Sequence, residues 1–165
     1  MVKAVEMTPS DLDQPYRGGF AGAEHRFALT VYFEDTDTAS IVYYANYLKY
    51  MERARSDMLR AVGIDQRAAL DAGTGVYAVA DVAIRYLRSA RLGDDLVVVS
   101  SIDTVRAASV AIHQRVMRGA EILTDARVTA ARELGPCSCR ISRTRRSLIL
   151  RNSVGSIRCF MQFSS

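Results

Sequence analysis

One long helical period followed by nothing but strand-like segments is the feature that most narrows what this chain can become. Tyr47, Met51, Ala54, Met58 and Val62 recur at spacings of three and four, which places them on one face of an α-helix. Lys49, Glu52, Arg53, Asp57 and Arg60 fall mostly elsewhere. Asn46 is a residue type that caps helix starts, and Gly63 suits the left-handed residue that ends them. The spacing therefore predicts a helix over 46–62, with Asn46 as its N-cap.

Everything else with a period reads as β. Phe27, Leu29, Val31 and Phe33 share one face of a half-buried strand over 25–33. Residues 64–75 are irregular or weakly helical. Val76, Ala78, Ala80, Val82, Ile84 and Tyr86 then line one face of a long strand ending near Leu87. A turn containing Gly93-Asp94 leads to strands over 96–105, 109–117 and 121–131, with Gly119-Ala120 as a tight hairpin. A strand, a helix and four more strands predict an α+β fold, with an antiparallel sheet of about five strands wrapped on one central helix. One helix cannot cover a whole sheet, so edges and apolar surface remain, and pairing of two sheets in a dimer relieves both.

Composition limits the alternatives. A chain of 165 residues with 49% hydrophobic and 24% charged residues suits one soluble domain. No apolar run approaches the ~20 residues of a membrane helix. Residues 1–22 hold no apolar core of a secretory signal, so a cytoplasmic protein is expected. Residues 1–24, punctuated by Gly18, Gly19 and Gly22, read as a flexible arm before a domain over 25–133. Within 1–133, 16 basic and 18 acidic residues leave −2, whereas 134–165 carry six Arg and no acid. The basic character thus belongs to a tail without period, expected to be loosely ordered. Without aromatic residues interleaved before Phe160, that tail implies no nucleic-acid partner. Cys137, Cys139 and Cys159 all lie in it, and a C-x-C with no second pair or nearby His implies no metal site.

The candidate chemistry sits between the first strand and the helix, in Glu34-Asp35-Thr36-Asp37. An acidic turn that caps its own backbone is the plain reading of those four residues. Their setting adds another, because a carboxylate can handle water or a proton while free amides at a helix start hold developing negative charge. An unperturbed Asp titrates near 3.9, so such a base needs no activation at neutral pH. Tyr43, Tyr44 and Tyr47 surround the helix start, as packing residues or as the walls of an acyl pocket with an amide near Tyr44 facing a carbonyl. His25 and His113 lie in strands, away from the loop, and read as structural or exposed. There is no G-x-S-x-G, H-E-x-x-H or phosphate-cradling glycine motif. Arg85, Arg88, Arg91 and Arg106 mark strand ends and turns, as solvated charges or as contacts for phosphates.

These residues resemble a known family. Val31 to Asp37, Ile41 to Tyr50, Glu52-Arg-Ala-Arg55, Ile84 to Leu87, Ala90 to Leu96 and Ser109 are similar to hotdog-fold acyl-CoA thioesterases, in the group of 4-hydroxybenzoyl-CoA and Tol-Pal-associated thioesterases. The resemblance covers residues 25–131. It implies a hotdog fold, homodimers or homotetramers with sites at subunit interfaces, and acyl-CoA hydrolysis, acyl carrier protein being a further carrier. CoA is then part of the substrate and no cofactor is needed. It further implies that Asp37 is the catalytic carboxylate, as general base or nucleophile, that the carbonyl-polarising amide falls near Tyr44, and that Arg106 meets CoA phosphates. Ser40 stands where glycine is commoner, which narrows backbone freedom there, and the chain departs from the family pattern after Ala131. Two rival classes keep the fold. A dehydratase or hydratase needs a catalytic His, and an acyl-binding module needs no Asp37.

Overall fold

The computed structural model describes residues 13–73, 76–133, 142–144, 147–152 and 155–158. Strands β1 (Gly19–Ala21) and β2 (Glu24–Thr30) precede a 3-10 turn at Phe33–Asp35 and helix α1 (Asn46–Ala61). A short helix α2 (Gln66–Asp71) follows, then β3 (Val76–Tyr86), β4 (Asp95–Val105), β5 (Ser109–Arg118) and β6 (Glu121–Glu133). These six strands make one antiparallel sheet in the order β1-β2-β4-β5-β6-β3, and α1 packs against β2, β4 and β5. This is the α+β arrangement expected, with one strand more than the five anticipated. Among the described residues no helix is long and apolar enough to cross a membrane.

The helix forms where its period predicts because Tyr47, Met51, Ala54 and Met58 are buried, joined by Tyr50. Each large side chain so buried contributes about 1.5–3 kcal/mol. Opposite them, Val31, Leu96, Val98, Val116, Leu123 and Ala126 complete the core. Gly63 takes φ 80 and ends the helix, as expected. Val62, placed on the apolar face by spacing, is exposed instead, since the helix stops at Ala61 and Val62 lies beyond its last turn. The N-terminus also differs from expectation. Ala45 is the cap residue and already helical at φ −71, ψ −20, and no side chain caps the helix. Asn46 lies inside, its carboxamide donating to the Asp35 carbonyl at 2.9 Å.

Other boundaries shift for identifiable reasons. The first strand stops at Thr30 rather than Phe33, because the Tyr32 amide donates to the Asp35 carboxylate at 3.0 Å and turns the chain out of the sheet. Phe33 is consequently 82% exposed. A bulge between Val79 and Asp81 breaks the single face expected of β3. Weak helicity after Gly63 becomes α2, capped by the Asp65 side chain on the amides of Arg67 and Ala68. In the tail, Ser142–Thr144, Ser147–Asn152 and Gly155–Arg158 form β7, β8 and β9 of a separate antiparallel sheet. Leu148-Ile149-Leu150, too short for a period to show, sits in β8, where pairing on both sides supplies the order that the pattern does not. The three cysteines and residues 1–12 lie outside the described residues.

The stretch read as an arm joins the sheet from Gly19, as β1 paired with β2. What fixes it is a pair the sequence does not connect. Asp57 of α1 is buried, accepts the Gly18 amide at 2.8 Å and meets Nε2 of fully buried His25 at 3.1 Å. A Cβ on Gly18 would stand 2.5 Å from the Arg26 carbonyl oxygen and 2.8 Å from the Asp57 carboxylate, so only glycine fits. Replacing Asp57 by Ala leaves the Gly18 amide and the His25 ring without their acceptor inside the protein. It should cost about 3–5 kcal/mol in denaturant unfolding, whereas Asp57→Asn, which keeps an oxygen acceptor, should cost less. Equal losses for the two variants would count against this account.

Candidate active site

The acidic loop folds as a small hairpin ahead of α1. Thr36 pairs with Val42, the Asp37 amide donates to the Ile41 carbonyl at 2.9 Å, and the Ser40 amide donates to the Asp37 carbonyl at 3.0 Å. Ser40 closes the turn at φ 60, the left-handed region that favours glycine. That is the physical content of its departure from the family pattern.

The two aspartates have different fates. Asp35 is buried; its carboxylate holds the Tyr32 amide, while its carbonyl receives the Tyr43 amide at 2.9 Å and the Asn46 side chain. Burial, and next the charge of Asp35, push the buried Tyr50 hydroxyl far above its ordinary pKa, so it stays neutral beside that carboxylate. Asp35 is thus committed to structure. Asp37 is exposed. Its Oδ1 accepts the Ala39 amide at 2.8 Å in an Asx turn, while Oδ2 takes no partner among the described residues. The plain reading, an acidic turn that caps its own backbone, thus describes one oxygen of the Asp37 carboxylate.

Approaching the helix, the Tyr43 amide is already used, but the Tyr44 amide donates to no group among the described residues. Tyr44 is 59% exposed, and its carbonyl accepts the Tyr86 hydroxyl at 3.2 Å. Tyr43 stacks on Tyr44 with ring centroids 4.7 Å apart, and Tyr86 stands edge-on to Tyr44 at 6.1 Å and to Tyr47 at 5.8 Å. An aromatic chain thus runs from the exposed Tyr43 to the core.

Tyr47, expected to contact substrate, is instead a core residue, 2% exposed. Its hydroxyl accepts the Ala90 amide at 2.9 Å, and the Ala90 carbonyl accepts the Val42 amide at 2.9 Å. Arg91 pairs with Ile41, and the turn it begins is held by Asp94, whose carboxylate accepts the Arg91 amide at 2.8 Å and Arg118 at 2.7 Å. Burial alone would raise the Asp94 pKa, but the Arg91 amide and the Arg118 guanidinium outweigh it and hold it below its ordinary value. Ala90, Tyr86 and Asn46 are supports whose roles sequence reasoning missed, although each lies in a block that carries the resemblance and Asn46 was read as a helix cap.

Arg106 is not brought to Asp37. The loop leaves β2 beside Asp95, at the start of β4, whereas Arg106 follows Val105 at its end. Eleven residues of strand put them roughly 35 Å apart along the sheet. Both histidines are also remote, His25 against Asp57 and His113 against Asp125 at 2.8 Å. Among the described residues no group of three His, Cys, Asp or Glu side chains could hold a metal ion.

Comparison with known proteins places this geometry. The family model described as the Thioesterase-like superfamily matches residues 31–153. The acyl-CoA thioesterase YbgC of Haemophilus influenzae is 37% identical over 105 residues, which cover 64% of this chain and 77% of that one. The acyl-CoA thioester hydrolase YbgC of Escherichia coli is 36% identical over 98 residues, covering 59% and 72%. Among solved structures, a probable thioesterase from Bartonella henselae superposes with a TM-score of 0.64 at 30% identity, over 68% of this chain and 93% of that one. A 1,4-dihydroxy-2-naphthoyl-CoA thioesterase from Synechocystis, at 21% identity and a TM-score of 0.65 over 68% and 84%, shares the fold.

A left-handed serine costs about 1–2 kcal/mol, part of which a more flexible unfolded chain takes back when glycine replaces it. Ser40→Gly should therefore raise stability by about 0.5–1 kcal/mol, read as a higher melting temperature; a lower one would mean that the serine is not strained.

Proposed function

The chain belongs to the thioesterase-like superfamily and has its hotdog fold, and from that premise we propose that it hydrolyses acyl-CoA through Asp37. The reaction is thioester hydrolysis, which releases a free acid and CoA thiol. The observation that carries the assignment to Asp37 is the division of its carboxylate, Oδ1 fixed by the Ala39 amide and Oδ2 open to solvent. A carboxylate so held is aimed without being neutralised. Oδ2 either takes a proton from the attacking water or attacks the thioester carbon itself to form a mixed anhydride.

The Tyr44 amide, without an acceptor among the described residues and beside the helix start, is the donor for the oxyanion that either route creates. Tyr43 and Tyr44 wall the acyl group, and Tyr47 supports them from the core. Acyl carried on acyl carrier protein presents the same thioester. No cofactor is required by this chemistry, and a cytoplasmic location fits a body over 1–133 that holds no cysteine.

The second half of the site comes from a second copy. β3 is the terminal strand of the sheet and presents Tyr77 and Val79, 44% and 48% exposed, which supports pairing through this edge as a homodimer and further association as a homotetramer. In such an assembly Arg106 reaches CoA phosphates at the partner's Asp37, which one protomer alone does not allow.

Asp37→Asn should lower kcat for thiol release from acyl-CoA by about 10²–10⁴-fold with little change in melting temperature. Undiminished hydrolysis would overturn the assignment to Asp37, and a wild type that releases no thiol would leave only an acyl-binding module. Single-turnover reaction in ¹⁸O-water separates the routes, since label in the enzyme carboxylate excludes pure general-base chemistry. The double substitution Val79→Lys and Val82→Lys on β3 should shift the protein to monomer in analytical ultracentrifugation and abolish hydrolysis together. A fully active monomer would refute the shared site.

A further inference from the structure

The bonds on either side of the Tyr44 amide set its direction. The peptide group between Tyr43 and Tyr44 is planar and trans, so its carbonyl and its N–H point opposite ways. The Tyr43 carbonyl accepts the Asn46 amide at 2.9 Å, inside the turn that enters α1. The Tyr44 N–H, without an acceptor among the described residues, therefore points away from that turn, out of the helix start. One bond fixes only one end of one peptide plane, which leaves the plane free to rock about it. A firm aim needs a second hold, on the other side of Tyr44.

Tyr86 supplies it. Its hydroxyl donates to the Tyr44 carbonyl at 3.2 Å, across 42 residues of sequence. The two bonds flank the Tyr44 Cα, one on the peptide before it and one on the peptide after. The donor stands on the sheet rather than on a loop. Tyr86 ends β3, paired with Thr124 of β6, and the next two amides, Leu87 and Arg88, both donate to the Leu123 carbonyl, at 2.8 and 3.1 Å. Leu123 is fully buried. Edge-on contacts with Tyr44 and Tyr47 hold the Tyr86 ring. Burial, and next the neighbouring Tyr44 and Tyr47 hydroxyls, raise Tyr86 above its ordinary pKa, so it stays a donor through the neutral range.

We propose that Tyr86 is a positioning residue for thioester hydrolysis, its hydroxyl aiming the Tyr44 amide at the oxyanion of the transition state. This rests on the hydrolysis proposed above and deepens it. The thioester oxygen gains charge only as its carbon is attacked, so an amide out of line weakens the transition state more than the bound substrate. Loss of an oxyanion donor costs about 10²–10³-fold in rate, and loss of its alignment costs part of that. A ring that only packed would need no hydroxyl.

Thiol release from acyl-CoA by Tyr86→Phe, which keeps the ring and its edge contacts, tests the role of the hydroxyl. The value of kcat should fall about tenfold, with KM and melting temperature unchanged. A second protein carries p-hydroxyphenyllactate in place of Tyr44, so that an ester oxygen replaces the N–H. There Tyr86→Phe should cost nothing further, because no donor is left to aim. Unchanged kcat in Tyr86→Phe, a loss confined to KM, or a full tenfold loss that persists in the ester protein would each overturn the proposal, even where Asp37→Asn is inactive and the hydrolysis itself stands. A wild type that releases no thiol would overturn both.

Discussion

The peptide groups on either side of Ala90 tie the active-site elements into one body. The Ala90 amide donates to Tyr47 of the helix, and its carbonyl receives Val42 from the acidic hairpin. Ala90 itself is fully buried, so neither bond competes with water. Three segments from separate parts of the chain thus have their relative positions set by two hydrogen bonds of 2.9 Å each. Arg118 on β5, through Asp94, anchors the turn to the sheet. A catalytic group on a loop gains rate only to the extent that the loop is held, since misplacement by about 1 Å can cost on the order of 10²-fold.

Within that body the acidic loop separates scaffold from chemistry. Asp35 spends its carboxylate on the Tyr32 amide and its carbonyl on Tyr43 and Asn46. Asp37 keeps one oxygen without a partner among the described residues, and the Ala39 amide holds the other. A similar economy applies to the amides. Tyr43 closes the hairpin, and the next one, Tyr44, has no acceptor among the described residues.

How far the sequence reveals this depends on the range of each interaction. The helix and the strands from Val76 onward are legible because burial on one side imposes a period. Gly63 and Gly119 are legible because each turn needs positive φ, which both adopt. The choice between Asp35 and Asp37 is not written in the residues themselves. It depends on which carboxylate the Tyr32 amide meets, and only the resemblance pointed to Asp37. Asn46 misleads because its side chain serves Asp35 rather than the helix amides. The His25–Asp57 pair spans 32 residues, and no period links a strand to a helix face at that distance. For the same reason residues 18–24 read as an arm, their anchor being an acid on α1.

A single helix under a six-stranded sheet also explains why the site should not be complete in one protomer. Tyr47, one of three tyrosines read as packing residues or acyl-pocket walls, is taken up by the core with Tyr50, Met51, Ala54 and Met58 of α1. What remains exposed at the loop and the helix start is the aromatic set Tyr32, Phe33, Tyr43 and Tyr44. Further exposed apolar side chains, Tyr77, Val79, Val82 and Tyr86, lie along β3 at the terminal edge of the sheet, and the phosphate-binding candidate Arg106 follows the far end of β4. Antiparallel pairing of two β3 edges reverses the strand direction between copies, so each end of one sheet faces the opposite end of the other. In the homodimer proposed above, that operation turns the Asp37 end of one copy toward the Val76 end of its partner's β3. On that proposal, the edge that would otherwise be a liability in water is the element that completes the site.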